Sequence, residues 1–270
     1  MNSPGRFEGM TFLSKVPEIT IFFWIIKVLS TTVGETAADL LSVRLQLGLT
    51  VTSYVMSAAF LVALLIQLKT DRYLPVPYWA TVVLISIVGT LISDNLVDGM
   101  GISLVTTSVV FSGILAVVFV VWARSERTLS IHSIVTPRRE MFYWAAILFT
   151  FAMGTSVGDL IAETLDLGYG PTALIFAGMI AFVAFLHYVL KMNAILSFWI
   201  AYILTRPLGA SIGDYLAKPE IAGALGLGTI TTSLIFLAAI LSLVLFLAAT
   251  RIDRPDQAEA GANAEADANA

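Results

Sequence analysis

The chain has no cysteine and only two histidines, which excludes a disulfide framework and a thiolate metal site. Charge is scarce: 13% of the 270 residues are Asp, Glu, Lys or Arg, against about 25% in an ordinary soluble domain. That scarcity argues against a soluble enzyme, a disordered chain and a nucleic-acid partner. The short alternating segments of a membrane β-barrel are missing too, as are a P-loop, a dinucleotide fingerprint, a zinc-protease helix and a nucleophile–base pair. The sequence therefore predicts no catalytic residue, no bound cofactor and no enzyme activity. Even the net charge of −4 owes much to a polar tail, where Asp253, Asp256, Glu259, Glu265 and Asp267 lie.

What the chain has instead is apolar length. Hydrophobic residues make up 58% of it, and its mean hydropathy is +0.89. Eight apolar runs stand out at 18–38, 47–68, 78–97, 102–123, 141–162, 170–190, 193–216 and 223–249. About 20 such residues span a bilayer as a helix, and backbone groups in lipid must be satisfied internally. The expected fold is an all-α membrane protein of eight transmembrane helices, with the lipid bilayer as its first partner. The first 17 residues lack the apolar core of a signal peptide, and 251–270 read as a disordered, low-complexity tail.

Of the 15 basic residues, eleven fall on one side of this topology: Arg6, Lys15, Lys69, Arg72, Arg124, Arg127, Arg138, Arg139, Lys191, Arg251 and Arg254. Only Arg44 and Lys218 fall on the other. Positive charge marks cytoplasmic loops, so both termini are expected in the cytoplasm. Lys27 and Arg206 remain, both inside spans.

Aligning on tryptophan exposes a repeat. Trp24 is followed ten residues later by Gly34 and fifteen later by Asp39. The same offsets give Trp79, Gly89 and Asp94, then Trp144, Gly154 and Asp159, then Trp199, Gly209 and Asp214. Only Trp122 stands outside the pattern. Each unit holds two spans, which divides the chain into repeats at 18–68, 78–123, 141–190 and 193–249. A cytoplasmic segment at 1–17 precedes them and a basic cytoplasmic loop at 124–140 separates the two halves. All four tryptophans lie on odd spans, so the repeats run parallel, as a pseudo-fourfold or a two-plus-two arrangement.

Ala38, Ser93, Gly158 and Gly213 follow the motif glycines by four residues. This is the small-xxx-small pattern that lets membrane helices approach closely, and the glycines would also permit bending. Positions seven, eleven and fifteen after each tryptophan share one helix face. They are Thr31, Glu35 and Asp39; Ser86, Thr90 and Asp94; Phe151, Thr155 and Asp159; Arg206, Ala210 and Asp214. Pro207 is expected to kink the seventh span and free a carbonyl. The motif tryptophans suggest aromatic-belt anchors that also set helix depth.

At about 1.5 Å per residue the four Asp sit in the outer third of the bilayer, at the negative end of their helices, where an acid is disfavoured. One reading makes them interfacial helix ends or caps. The other draws them together, with Glu35, Thr36, Thr90 and Thr155 assisting, around an inorganic cation or proton. Asp39, Asp94, Asp159 and Asp214 would then be metal ligands, a hard oxygen set suited to Mn²⁺, Mg²⁺, Ca²⁺, Na⁺ or H⁺. Asp98, Glu163, Asp166 and Glu220 would form an acidic mouth. Lys27 could pair with Glu35 or a neighbouring Asp, and Arg206 with Asp214.

The segments PEITIFFWIIKVLSTTVGETAADLL, PVPYWATVVLISIVGTLISDNL, REMFYWAAILFTFAMGTSVGDLI and LSFWIAYILTRPLGASIGDYL resemble a bacterial family of uncharacterised membrane-anchored proteins. That family is built from four tandem copies of a two-span repeat of unknown function, each with a characteristic tryptophan. The resemblance covers residues 16–250 and implies a bacterial inner-membrane protein; it supplies no activity. The expectation from the residues is a secondary transporter or exporter of a small inorganic cation, a divalent metal such as Mn²⁺, coupled to protons or the membrane potential. The alternative is a non-transporting membrane scaffold or sensor whose Asp residues are structural.

Overall fold

All eight apolar runs become helices, and local sequence sets where several of them start. The computed structural model describes residues 14–220 and 223–254. Its helices are α1 (Ile21–Asp39), α2 (Gly48–Lys69), α3 (Pro75–Asp94), α4 (Leu104–Glu126), α5 (Pro137–Asp159), α6 (Tyr169–Tyr188), α7 (Ala194–Ala217) and α8 (Thr229–Thr250). Thr20, Ser103, Thr136 and Asn193 cap α1, α4, α5 and α7, each side chain accepting a hydrogen bond from a first-turn amide that has no helical partner. Pro75 and Pro137 occupy first turns, where the missing N–H costs nothing. No strand occurs among the described residues.

Burial separates two sets of helices. In the spans beginning with α1, α3, α5 and α7, between 56% and 67% of the most apolar stretch is buried; in α2, α4, α6 and α8 the share is 11–28%. The outer helices expose Tyr54, Leu61, Leu65, Val109, Leu174, Phe182, Leu234 and Leu241. A continuous apolar exterior of this kind belongs in lipid. The protein is a multi-pass membrane protein.

The inner helices form a closed ring: α1 packs on α3, α3 on α5, α5 on α7, and α7 on α1. Each outer helix lies against the inner helix of the following repeat, α2 on α3, α4 on α5, α6 on α7, and α8 back on α1. The arrangement is the pseudo-fourfold of parallel repeats.

The motif glycines explain how the ring closes. Each faces the residue seven places after the tryptophan of the next repeat. A Cβ on Gly89 would fall 2.5 Å from the Phe151 Cβ, and one on Gly154 2.5 Å from the Arg206 Cγ; Gly34 meets Ser86, and Gly209 meets Thr31, at still closer range. Small residues at these crossings bring the backbones together. Ser93 and Ser156 then share a 2.8 Å hydrogen bond between α3 and α5.

Immediately after Asp39, Asp94 and Asp159 the chain widens into five-residue π-helical turns, Leu40–Arg44, Asn95–Gly99 and Leu160–Thr164. Such widened turns recur at functional sites. In the fourth repeat α7 instead runs on unbroken through Pro207 to Ala217. The Pro207 ring packs toward Gly154 and Gly158, and the backbone carbonyl of Thr205, just before it, accepts a 3.2 Å hydrogen bond from Thr31 Oγ1.

The first and last described segments, near Ser14 and Asp253, meet at the opposite end of the ring. Lys15 is buried and pairs with buried Glu140 at 2.8 Å. The Glu18 amide donates to the Asp253 carbonyl at 3.0 Å, and the Tyr73 hydroxyl donates to the Asp253 carboxylate at 2.5 Å. The start of the tail, 251–254, and the end of the N-terminal segment, 14–17, are thus part of the packed protein. Residues 1–13 and the tail from 255 on lie outside the described residues. The basic loop is shorter than expected because α5 begins at Pro137. It also buries Ile131 and Ile134.

The motif tryptophans are not lipid-facing anchors. Trp79, Trp144 and Trp199 are buried and Trp24 half-buried. With Phe23, Tyr78, Tyr143 and Phe198 they make an aromatic layer across the ring at the end where the termini lie. The repeat fixes them because one ring from each unit fills that layer, beyond any role at an interface.

Candidate functional site

The polar stripes of the four inner helices look into the ring, one layer above another. Uppermost, a cavity of about 80 Å³ opens at the end away from the termini. Glu35, Asp39, Asp94, Asp98, Asp159 and Glu163 line it, with one cationic side chain, Lys218. Three of the four motif Asp residues therefore converge. Each is the last residue of its α-helix before a π-helical turn, so these three are helix ends and cavity-lining residues at once. Of the acids expected at the mouth, Asp98 and Glu163 line the cavity; Asp166 and Glu220 do not.

Asp214 behaves differently. It is buried and held by Lys218 of its own helix end at 3.1 Å. Lys218 also meets Glu163 at 3.2 Å, and its ammonium donates to the Tyr169 hydroxyl at 2.8 Å. Burial works against the Lys218 ammonium, but the Asp214 carboxylate and the Tyr169 hydroxyl outweigh it and hold its pKa above the ordinary lysine value. The sequence marked Lys218 only as an exception to the charge bias; its place four residues after Asp214 was the signal that could have paired the two, whereas its meeting with Glu163 depends on a neighbouring repeat.

Below the cavity floor lies a fully buried hub. The Arg206 guanidinium donates from Nη2 to Glu35 Oε2 at 3.0 Å and to Thr155 Oγ1 at 2.6 Å, and at short range to Thr90 Oγ1. Its Nη1 donates to the Thr31 carbonyl at 2.9 Å. One side chain thus ties α7 to α1, α3 and α5. Thr90 and Thr155 serve as expected for a polar layer, although as acceptors for arginine. The Ala210 position carries no polar group because Arg206, one turn earlier, reaches into that layer.

Two expected pairings are replaced. Arg206 binds Glu35 and not Asp214. Among the described residues Lys27 pairs with no carboxylate: its ammonium sits over the Phe151 ring at 3.9 Å and the Tyr202 ring at 4.2 Å. The Phe151 departure from the repeat therefore supplies an aromatic face for a cation, with Arg206 5.9 Å from the same ring. Thr36 leaves the site altogether. It lies one residue off the stripe, accepts a 2.8 Å hydrogen bond from Ser233 and joins α1 to α8.

Among the described residues no three His, Asp or Glu side chains stand close enough to form a metal-binding group. Asp39, Asp94, Asp159 and Asp214 are therefore not a four-ligand centre in this conformation: Asp214 is engaged by Lys218, and the other three stand around an open cavity.

Four consecutive stretches, residues 22–73, 77–128, 142–193 and 197–253, match a family model described as Repeat of Unknown Function (DUF347). The chain belongs to this repeat family. The matched boundaries follow the Trp–Gly–Asp units, each taking in one inner and one outer helix. No curated protein and no solved structure matches the chain.

Proposed function

We propose that this DUF347 protein is a secondary transporter or exporter of a small inorganic cation, coupled to protons or to the membrane potential. The observation that carries this reading is the cavity itself, in which six carboxyl groups from α1, α3, α5 and their π-helical turns face one ammonium. Like charges gathered this closely repel, and a cation relieves them. The donors are hard oxygens, the set that suits Mn²⁺, Mg²⁺ or Ca²⁺ as well as H⁺. A volume of this size takes a few waters or one partly hydrated ion. Mn²⁺ is the divalent substrate we put first. Arg206 lies beneath as a fixed counter-charge to Glu35.

On this reading the protein lies in the bacterial inner membrane. The basic end that gathers the termini faces the cytoplasm, and the acidic cavity opens outward. The aromatic layer and the Lys15–Glu140 pair close the cytoplasmic end.

A second reading, a non-transporting scaffold or sensor, draws on the Arg206 hub, which binds all four inner helices together. One experiment separates them: purified protein in proteoliposomes, with Mn²⁺ flux followed by an internal indicator. Transport requires flux in the wild type and its loss in Asp94→Asn, with the variant as abundant and as thermostable as the wild type. Absent wild-type flux, together with a lower melting temperature for Asp94→Asn, supports the scaffold.

A further inference from the structure

Two layers below the cavity, the ring holds a cation that the reading above leaves without a task. Lys27 is 1% exposed, and its Nζ has no hydrogen-bond partner among the described residues. It stands eight residues before Glu35 on α1, about 12 Å deeper at 1.5 Å per residue. An ammonium offers three donors; here it meets only the two aromatic faces of Phe151 and Tyr202. Ring faces attract a desolvated cation and ask nothing of a neutral amine. The pocket accepts the side chain with or without its proton.

A row of phenols leads from this amine toward the end where the termini lie. Tyr202, whose ring touches Lys27, is fully buried, and its hydroxyl is unpartnered among the described residues. The Tyr202 and Tyr143 rings pack on the same Trp199 ring, at 5.6 and 6.3 Å, and the Tyr143 and Tyr78 hydroxyls share a 2.5 Å hydrogen bond. The Tyr78 ring meets that of Tyr73 edge-on at 5.5 Å, and Tyr73 donates to Asp253. The remaining charged groups around Lys27 are Arg206 on α7 and Glu35 on its own helix. Toward the end of the ring that holds the aromatic layer, α3 offers Tyr78, α5 offers Tyr143 and the buried Glu140, which is paired with Lys15, and α8 carries no titratable side chain.

We propose that Lys27 is the proton-exchanging residue of the transport cycle, and that Tyr202, Tyr143 and Tyr78 form its route to the end where the termini lie. In the step, the Tyr202 hydroxyl, which has no partner in the resting packing, turns to the amine; an N–H bond of the ammonium breaks and the proton joins the Tyr202 oxygen. The proton already on that oxygen passes to Tyr143, then from Tyr143 to Tyr78, and from Tyr78 to water. Each phenol ends neutral and the amine keeps its electron pair. Reprotonation returns one proton, and the co-substrate is H⁺. The proposal rests on the cation-transport reading and adds the residue that couples it.

The test uses the full-length protein in proteoliposomes with a pH dye inside. Mn²⁺, Mg²⁺, Ca²⁺ and Na⁺ are each driven by an imposed proton gradient, and isotope exchange of the same ion is measured without a gradient. Lys27→Arg keeps the positive charge and the ring contacts but holds its proton permanently. It should lower gradient-driven flux and the accompanying proton movement at least about tenfold. Ion-for-ion exchange should persist and its pH profile flatten. Tyr143→Phe, which leaves the lysine intact, should slow gradient-driven flux in the same direction. Coupled flux within twofold of the wild type in Lys27→Arg would make Lys27 a structural pin and overturn the proposal while leaving transport standing. No flux of any ion in the wild type would sink the transport reading and this one with it.

Discussion

Replacing Glu35 by Gln tests whether the Arg206 hub holds the inner ring together. Arg206 is wholly buried and Glu35 nearly so, and their 3.0 Å contact is the one full charge pairing available to the guanidinium. The substitution keeps size and shape and removes the negative charge. Arg206 would be left with two hydroxyls and the Thr31 carbonyl, an uncompensated cation inside a membrane protein. Breaking a buried pair in this way costs about 3–5 kcal/mol. At about 2–4 °C per kcal/mol for a chain of this size, the melting temperature should fall by roughly 6–20 °C. Arg206→Met should cost less, because Glu35 lines the cavity and water can reach it. The double variant should be more stable than the sum of the singles by at least about 2 kcal/mol, the coupling expected of groups in direct contact. Unfolding in detergent micelles, followed by the fluorescence of the buried tryptophans, measures all three. A Glu35→Gln loss below about 1 kcal/mol, or strict additivity in the double variant, would refute the argument that this pair is the keystone.

Gly89→Val should force α3 from α5, since its Cβ alone would fall 2.5 Å from the Phe151 Cβ and 3.2 Å from the Ala152 backbone nitrogen. A loss of about 1–3 kcal/mol or more is expected in the same unfolding assay, whereas Gly113→Val on α4, with open space around it, should stay within about 0.5 kcal/mol. Burial raises the Asp253 carboxyl above its ordinary value of 3.8, so the folded state binds its proton more tightly than the unfolded chain. That contribution is complete below about pH 3.8 and is lost as pH rises through the folded value. Asp253→Asn should therefore remove a decline in stability with rising pH, seen as a flatter plot of melting temperature against pH.

Much of this architecture was written in periodicity. Eight apolar runs gave eight helices, and the fixed offsets from tryptophan to glycine to aspartate gave the four parallel units, because a ring of equivalent crossings demands a small residue at each. Convergence of Asp39, Asp94 and Asp159 followed from the shared stripe. The partners did not. Which acid meets which base depends on neighbouring helices, and the rise along one helix could only suggest Arg206 with Asp214. The π-helical turns left no legible signal, since five residues at the end of a span read alike whether the turn they make is α or π. The tryptophans were misplaced for a related reason: an aromatic near a span end reads the same whether it faces lipid or the next repeat.

The residues that break the fourfold pattern carry most of the chemistry on the axis. A perfectly repeated stripe would place four identical side chains in each layer, and four carboxylates or four ammoniums at one level would repel. Lys27 has Val82, Ile147 and Tyr202 as its counterparts, and Arg206 has Thr31, Ser86 and Phe151. Each basic residue therefore stands alone in its layer, one against rings and one against a carboxylate in the layer above. Lys218 does the same for the outermost acids through Asp214. The repeat supplies the frame and the close crossings, while divergence between units distributes three positive charges along one axis without placing two in the same layer. If this is the logic of the site, moving a charge to its repeat equivalent is a sharper probe than deleting it. Ser86→Arg combined with Arg206→Ser would carry the guanidinium from α7 to α3, keep the layer's composition and lose the aim at Glu35, and it should be no more stable than Arg206→Ser alone.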